Sequence, residues 1–259
     1  LEFRRVLFRS GGMARSLRLL ARQVRYESRA FRRNPAAAFF TIAFPLVFMV
    51  ILNLVFASSP EALRFYTPAI AAFAIVNAGF TALSQTVTVA RDEGILKRVR
   101  GTPMPPLLYL LARVIHTALL GLLIAAIVAA FGALAFGVPL PLGELPLLVL
   151  TLLVGSATFC ALGLAISGLI PNAAAAPAVV NGIVLPLLFI SDTYVRVEGG
   201  ILATIGGLFP IRPFSHCLQA IWDPVAFGAF RPEDLAFVAL WGVAGLILAR
   251  RTFGWEPRV

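Results

Sequence analysis

Apolar residues run along this chain in long blocks separated by short polar or basic breaks. Blocks of about 18 residues or more with almost no charge predict membrane-spanning helices, because about 20 residues rising about 1.5 Å each cover a hydrocarbon core of about 30 Å. Six spans are expected: Ala36–Ala57, Tyr66–Ala90, Leu107–Phe136, Glu144–Ile170, Ala173–Ile190 and Leu235–Ala249, the last only marginally long. Open strands would leave backbone groups unpaired in lipid, so the spans are helices. Ahead of them, Leu17, Leu20, Val24 and Phe31 recur at helical spacing among arginines, including Arg25, Arg29, Arg32 and Arg33. That pattern predicts an amphipathic helix from Met13 to Asn34, lying on an anionic membrane surface with its arginines at the headgroups. Asn34-Pro35 breaks it. Residues Leu1 to Gly12 read as a non-native scar before a start at Met13 and are set aside. The expected organisation is therefore an interfacial helix over 13–35 and a six-span domain over 36–259.

The stretch from Ser191 to Asp234 is long and mixed. Val197–Phe209 is apolar but too short to span, which predicts a re-entrant or interfacial helix pair breaking at Gly206-Gly207. Phe214–Trp222 reads as a short amphipathic helix with Trp222 at interface depth.

Composition reinforces the membrane reading. Hydrophobic residues make up 59% of the 259 and charged residues 13%, against about 45–50% and about 25% in soluble domains. The net charge of +10 would suit nucleic acid, but the basic residues cluster at the ends of apolar runs and not along one soluble face, so no nucleic-acid partner is expected. Their placement gives the topology. Seven arginines follow Met13, Arg91, Lys97, Arg98 and Arg100 lie between spans two and three, and Arg250, Arg251 and Arg258 end the chain. With six spans these clusters share one side, which by the positive-inside rule is cytoplasmic, as are both termini. The two cysteines, Cys160 and Cys217, have neither metal-ligand spacing nor a disulfide framework and read as small buried residues.

Catalytic signatures are missing. There is no GxxxxGK[ST] phosphate loop, no HExxH and no GxSxG. Ionisable residues inside the spans are few. Arg113, near a span end, reads as a snorkelling anchor, and His116 lacks an acidic partner on its helix face for proton relay. Asn53, Asn77, Gln85, Thr86 and Asn181 are polar residues within spans. They serve either helix–helix hydrogen bonds or a substrate path, for which Asn53, Asn77, Gln85 and Asn181 are the candidates. The informative segment is the loop from Arg91 to Pro106. Asp92 and Glu93 are expected to open a short helix, where negative charge suits the dipole. Ile95, Leu96 and Val99 form an apolar face, Lys97, Arg98 and Arg100 a basic one, and Thr102-Pro103 stops it. A short amphipathic helix between two spans suits docking on a soluble partner.

At this loop the sequence resembles the permease subunits of type-2 ABC exporters, whose coupling loop carries an acidic-Gly-X-Leu-basic-basic-Leu-X-X-Thr-Pro pattern. Glu93, Gly94, Leu96, Lys97, Arg98, Thr102 and Pro103 fit it, with Val99 where leucine is commoner. Arg33-Asn34-Pro35 with Phe39 and Phe44-Pro45 is similar to the start of the family's first span. Pro186–Ser191, with Phe209-Pro210 and Pro213, is similar to its fifth span and re-entrant region, although Ser191-Asp192-Thr193 departs from the usual small residues. The tail from Arg251 to Arg258 is similar to tails of the drug- and antibiotic-export branch. The resemblance implies an all-α integral membrane fold of six helices. It has an N-terminal elbow helix, a cytoplasmic coupling helix and an extracellular re-entrant segment before the last span. It also implies an exporter subunit in a bacterial plasma (inner) membrane, acting as a homodimer or with a close paralogue. The cargo is amphipathic or lipophilic: a drug, antibiotic, lipid or glycolipid. ATP and magnesium belong to a separate ABC ATPase subunit, so this chain holds no cofactor or metal and is not itself an enzyme. The seven loop residues would mediate ATPase coupling. The rival readings are an ATP-independent secondary transporter or channel, and a membrane-embedded lipid enzyme.

Overall fold

A computed structural model describes residues 12–56, 60–101, 105–191 and 200–254. The regular elements among the described residues are all helical. Helix α1 (Gly12–Arg32) is followed by α2 (Pro35–Phe56) and α3 (Pro60–Val76). A π-helical segment (Asn77–Ala82) then continues into α4 (Leu83–Asp92), α5 (Ile95–Arg100) and α6 (Pro106–Phe136). A 3-10 turn (Leu142–Glu144) leads into α7 (Leu145–Ser167). The chain ends with α8 (Ala176–Phe189), α9 (Gly200–Gly207), α10 (Ile211–Trp222), α11 (Pro224–Phe227) and α12 (Pro232–Thr252).

Among the described residues, four stretches are long and apolar enough to cross a bilayer: Arg64–Asp92, Leu108–Phe136, Leu142–Ser167 and Pro232–Thr252. The last extends the marginal Leu235–Ala249 of the sequence reading to 21 residues, because Glu233 and Asp234 sit in its first turn and Arg250 and Arg251 in its last, each matching the helix dipole. Helix α2 has 22 residues, including the described apolar stretch Thr41–Leu52. Helix α8 has 14, fewer than the Ala173–Ile190 expected. It starts late because the Asn172 carboxamide accepts from the Ala175 N–H at 2.9 Å, which holds the chain in a turn until Ala176.

Helices α9 and α10 are bent by 94°. The break falls at 208–210 and not at Gly206-Gly207. Pro210 is the N-cap of α10, and Pro213 sits in its first turn, where proline is tolerated. Gly206 instead lies where a Cβ would stand 2.2 Å from the Ile190 carbonyl. Trp222 is 8% exposed and belongs to the main core, so its ring is packed among helices.

That core is built around α3, α7 and α10. Phe214 of α10 is fully buried and its ring meets Phe159 edge-on at 5.4 Å. Gly155 gives it room, since a Cβ there would stand 2.2 Å from the Phe214 ring. Helix α12 lies along α7, with Gly242 and Gly245 against Thr158 and Leu162 and the Thr158 hydroxyl donating to the Val238 carbonyl at 3.0 Å. Close approach through small residues is the packing expected where lipid supplies no hydrophobic drive.

The contacts sort the connections by end. At one end, α1 packs on α6, Arg91 reaches the α7–α8 turn, and Phe253 packs against the two small clusters that hold Leu96 and Val87. At the other, Arg64 meets Asp223. The three basic clusters predicted to share a side thus gather at one end. Of these clusters' side chains, Arg25, Arg29, Arg32, Arg33, Lys97, Arg98, Arg250 and Arg251 are exposed.

Candidate functional site

The loop between α4 and α6 is built from its glycine outward. Gly94 has φ of 68°, a left-handed conformation that side chains resist. It separates α4 from α5, so Asp92 and Glu93 end α4 and do not open α5 as expected. With no acidic residue in its first turn, α5 is held by packing and not by its dipole. Leu96 is fully buried with Ala90, Tyr109 and Leu110, and Ile95, Val99 and Phe253 pack beside them. Glu93, Lys97 and Arg98 are exposed. The Arg98 guanidinium donates to the Glu93 carbonyl at 3.2 Å, bracing the outer face. Ile95, Leu96 and Val99 thus pack inward and Lys97 and Arg98 are exposed, while the Arg100 side chain lies outside what the structure describes. Thr102 and Pro103 lie outside the described residues.

Helix α1 docks beside this loop. Glu27 and Arg113 approach at 3.5 Å, and Arg113 also donates to the Thr86 carbonyl at 2.9 Å and lies 5.2 Å over the Tyr109 ring. Arg113 thus pins α1 to α4 and α6, where the sequence suggested a lone snorkelling side chain. His116 Nδ1 sits 3.1 Å from the Ser28 hydroxyl, with its ring 6.1 Å from Phe31. It too is part of the α1 contact. Arg25, Arg29, Arg32 and Arg33 face away, exposed.

The second feature is a cavity of about 170 Å³ lined by Asn77, Thr81, Asn181, Phe44, Phe73 and Leu185 among others. It brings together two of the four polar residues proposed for a substrate path, from helices more than a hundred positions apart in sequence. Gln85 is partly exposed and does not line it, and the Asn53 side chain lies outside what the structure describes. Asn77 opens the π-helical segment, in which the Leu83 N–H reaches back to the Ala78 carbonyl. The wide turn places the Thr81 hydroxyl in a buried position with no hydrogen-bond partner among the described residues. Such bulges are frequent at functional sites. The bulge is braced from behind: a Cβ on Gly163 would stand 2.4 Å from the Gly79 carbonyl, and one on Gly79 2.9 Å from Phe159 Cβ.

Two polar contacts went unread in the sequence. Arg91, counted there only as a topogenic charge, is 2% exposed and binds carbonyls of the α7–α8 turn. Arg64 and Asp223 pair at 3.0 Å across the opposite end. The available signal for the first was an arginine at the end of an apolar run, and its partners lie some eighty residues on.

The described residues thus form an apolar helical bundle with an anchored amphipathic helix on an inter-span loop. No curated protein matches the chain. The sequence model of the ABC-2 type transporter family matches residues 18–221, which takes in most of α1, the loop helix, the cavity and the bent pair up to its last residue. The chain belongs to the ABC-2 type transporter family and is a multi-pass permease subunit of an ABC transporter, a class of membrane protein that pairs with an ABC ATPase.

Proposed function

We propose that this permease exports an amphipathic or lipophilic substrate from a bacterial cytoplasm across the plasma membrane, driven by ATP bound with magnesium on a separate ATPase subunit. The observation that carries this reading is α5. Its Leu96 is wholly buried, while Glu93, Lys97 and Arg98 on the same short element are exposed. A helix anchored on one face and charged on the other passes displacement from a docked partner into the spans that flank it. That is a two-state element biased by a ligand. The basic end is cytoplasmic, both termini included, and α1 rests on anionic lipid through Arg25, Arg29, Arg32 and Arg33. A second copy or close paralogue completes the pathway. The cavity of Asn77 and Asn181, with aromatic walls at Phe44 and Phe73, supports an amphipathic cargo, since apolar lining with a few polar groups is what such ligands require.

The experiment is charge reversal at the loop. Glu93→Lys with Lys97→Glu, in a tagged chain purified from its native membrane, is expected to lower co-purification of the ATPase and the ATP hydrolysis of the complex at least tenfold. Both quantities unchanged would refute the coupling role. ATP-independent movement of cargo would favour a secondary transporter.

A further inference from the structure

Arg91 stands at the last turn of α4, one residue before that helix ends, with the largest wholly buried side chain of the described residues. Its guanidinium donates to the Ser167 carbonyl at 2.9 Å, to the Ile170 carbonyl at 2.8 Å and to the Pro171 carbonyl at 3.2 Å. These acceptors are the C-terminal end of α7 and the turn that follows, where helix carbonyls have no partners of their own and positive charge is favoured. Asp92 completes the arrangement. One carboxylate oxygen lies 3.3 Å from the guanidinium, and the other accepts the Ala173 N–H. The pair therefore grips the α7–α8 turn from both sides. A lysine cannot reproduce this, because its donors radiate from one nitrogen and do not form a planar fork.

What the grip connects gives it meaning. Gly94 and α5 follow Asp92 immediately, and α5 is fastened to α4 and α6 through Leu96. On the far side, α7 carries Gly163, in contact with the π-helical segment, and α8 carries Asn181 and Leu185 into the cavity. We propose that Arg91 and Asp92 are a transmission clamp that delivers movement of the coupling loop to the α7–α8 turn, and through it to both sides of the Asn77–Asn181 cavity. They are positioning residues: neither faces the cavity nor the exposed face of α5. The proposal rests on the ATP-coupled reading above.

The test separates the two ideas. Single reporters are placed at Gly101→Cys, on the exposed end of the loop helix, and at Ala174→Cys, on the exposed part of the turn. The native Cys160 and Cys217 are buried and do not compete for an environment-sensitive maleimide. The full complex with its ATPase is treated with ATP and vanadate. In the native background both reporters are expected to respond. In Arg91→Gln, Gly101 should still respond while the Ala174 response falls at least fivefold, with the ATPase still bound. Arg91→Lys should restore only part of it. An equal Ala174 response in Arg91→Gln and the native background overturns the clamp and leaves the permease reading standing. Silence of both reporters in the native background overturns the ATP-coupled reading, and the clamp with it. Should Arg91→Gln fail to fold, Asp92→Asn removes only the carboxylate charge beside the guanidinium and is expected to weaken the Ala174 response at least twofold; a full response there refutes the proposal.

Discussion

Gly163 offers the sharpest check on the packing that supports the cavity. An alanine methyl there would sit 2.4 Å from the Gly79 carbonyl oxygen, 3.2 Å from that of Phe80 and 3.3 Å from Phe80 Cα. All three neighbours are backbone, so no side chain can swing aside. To reach ordinary contact, α7 and the π-helical segment must part by about 1 Å, and interiors this dense transmit such a shift. Overpacking of this kind costs about 1–3 kcal/mol. Replacing a helical glycine by alanine returns up to about 1 kcal/mol of helix propensity. Backbone neighbours cannot yield, which puts the overpacking near its upper end, so about 3 less about 1 leaves a net loss of about 2 kcal/mol, a fall of about 30-fold in the folded-to-unfolded ratio. Gly182 on α8 is the internal control, because a Cβ there meets nothing within 4 Å. Unfolding in mixed detergent–SDS micelles, followed by far-UV circular dichroism, should move to lower SDS for Gly163→Ala and stay level or rise for Gly182→Ala. Both variants shifting alike, or Gly163→Ala holding the native midpoint, would refute the close approach of these two backbones.

Two further outcomes follow from the polar contacts. Burial raises the Asp223 carboxyl, but the Ala226 N–H, the hydrogen bond and charge of Arg64, and the Val225 N–H outweigh it and hold its pKa below the ordinary carboxylate value. A depressed carboxylate adds stability that is complete above about pH 4 and drains away as pH falls through the folded value. Asp223→Asn should therefore cost under about 1 kcal/mol near neutrality, since Arg64 is half exposed and water screens the pair, and the difference from the native chain should shrink below about pH 4 in the same SDS titration. At the elbow, Arg113→Ala should destabilise by about 2 kcal/mol and Glu27→Gln by about 1 kcal/mol or less, because Arg113 also holds the Thr86 carbonyl and covers Tyr109. Trypsin should cut α1 faster in Arg113→Ala than in Glu27→Gln, and equal rates would refute the pinning.

Much of the architecture was readable because membrane helices advertise themselves locally. The run from Leu107 to Phe136 needs no distant partner to declare its length, and α6 ends within a residue of it. The loop helix was readable for the same reason: Ile95, Leu96 and Val99 fall on one face of a six-residue helix, whatever they pack against. What escaped depends on residues far away in the chain. Charge counting treats Arg91 and Lys97 alike, yet one is buried on carbonyls of α7 and the other is exposed. Nothing near Arg91 announces this, since Ser167, Ile170 and Pro171 supply only main-chain oxygens. Asn77 and Asn181 were each suspect alone, but their shared cavity is a product of how the π-helical segment and α8 pack. The π-helical turn has no local code either: its glycine is legible only beside Gly163. Asp92 and Glu93 misled because acids before a short helix resemble an N-terminal first turn, while Gly94 at positive φ assigns them to the preceding helix.

The π-helical turn also sets a phase. It holds one residue more than an α-turn would, and each α-helical residue rotates the chain by about 100°. Everything after Ala82 in the second span is therefore aimed by that extra residue. Deleting a single position between 77 and 82 would leave length and hydropathy nearly untouched, yet it would swing Arg91 about a quarter-turn away from the carbonyls it grips. Insertions and deletions are usually read as events of loops. In this span a one-residue gap would mark a rewired transporter.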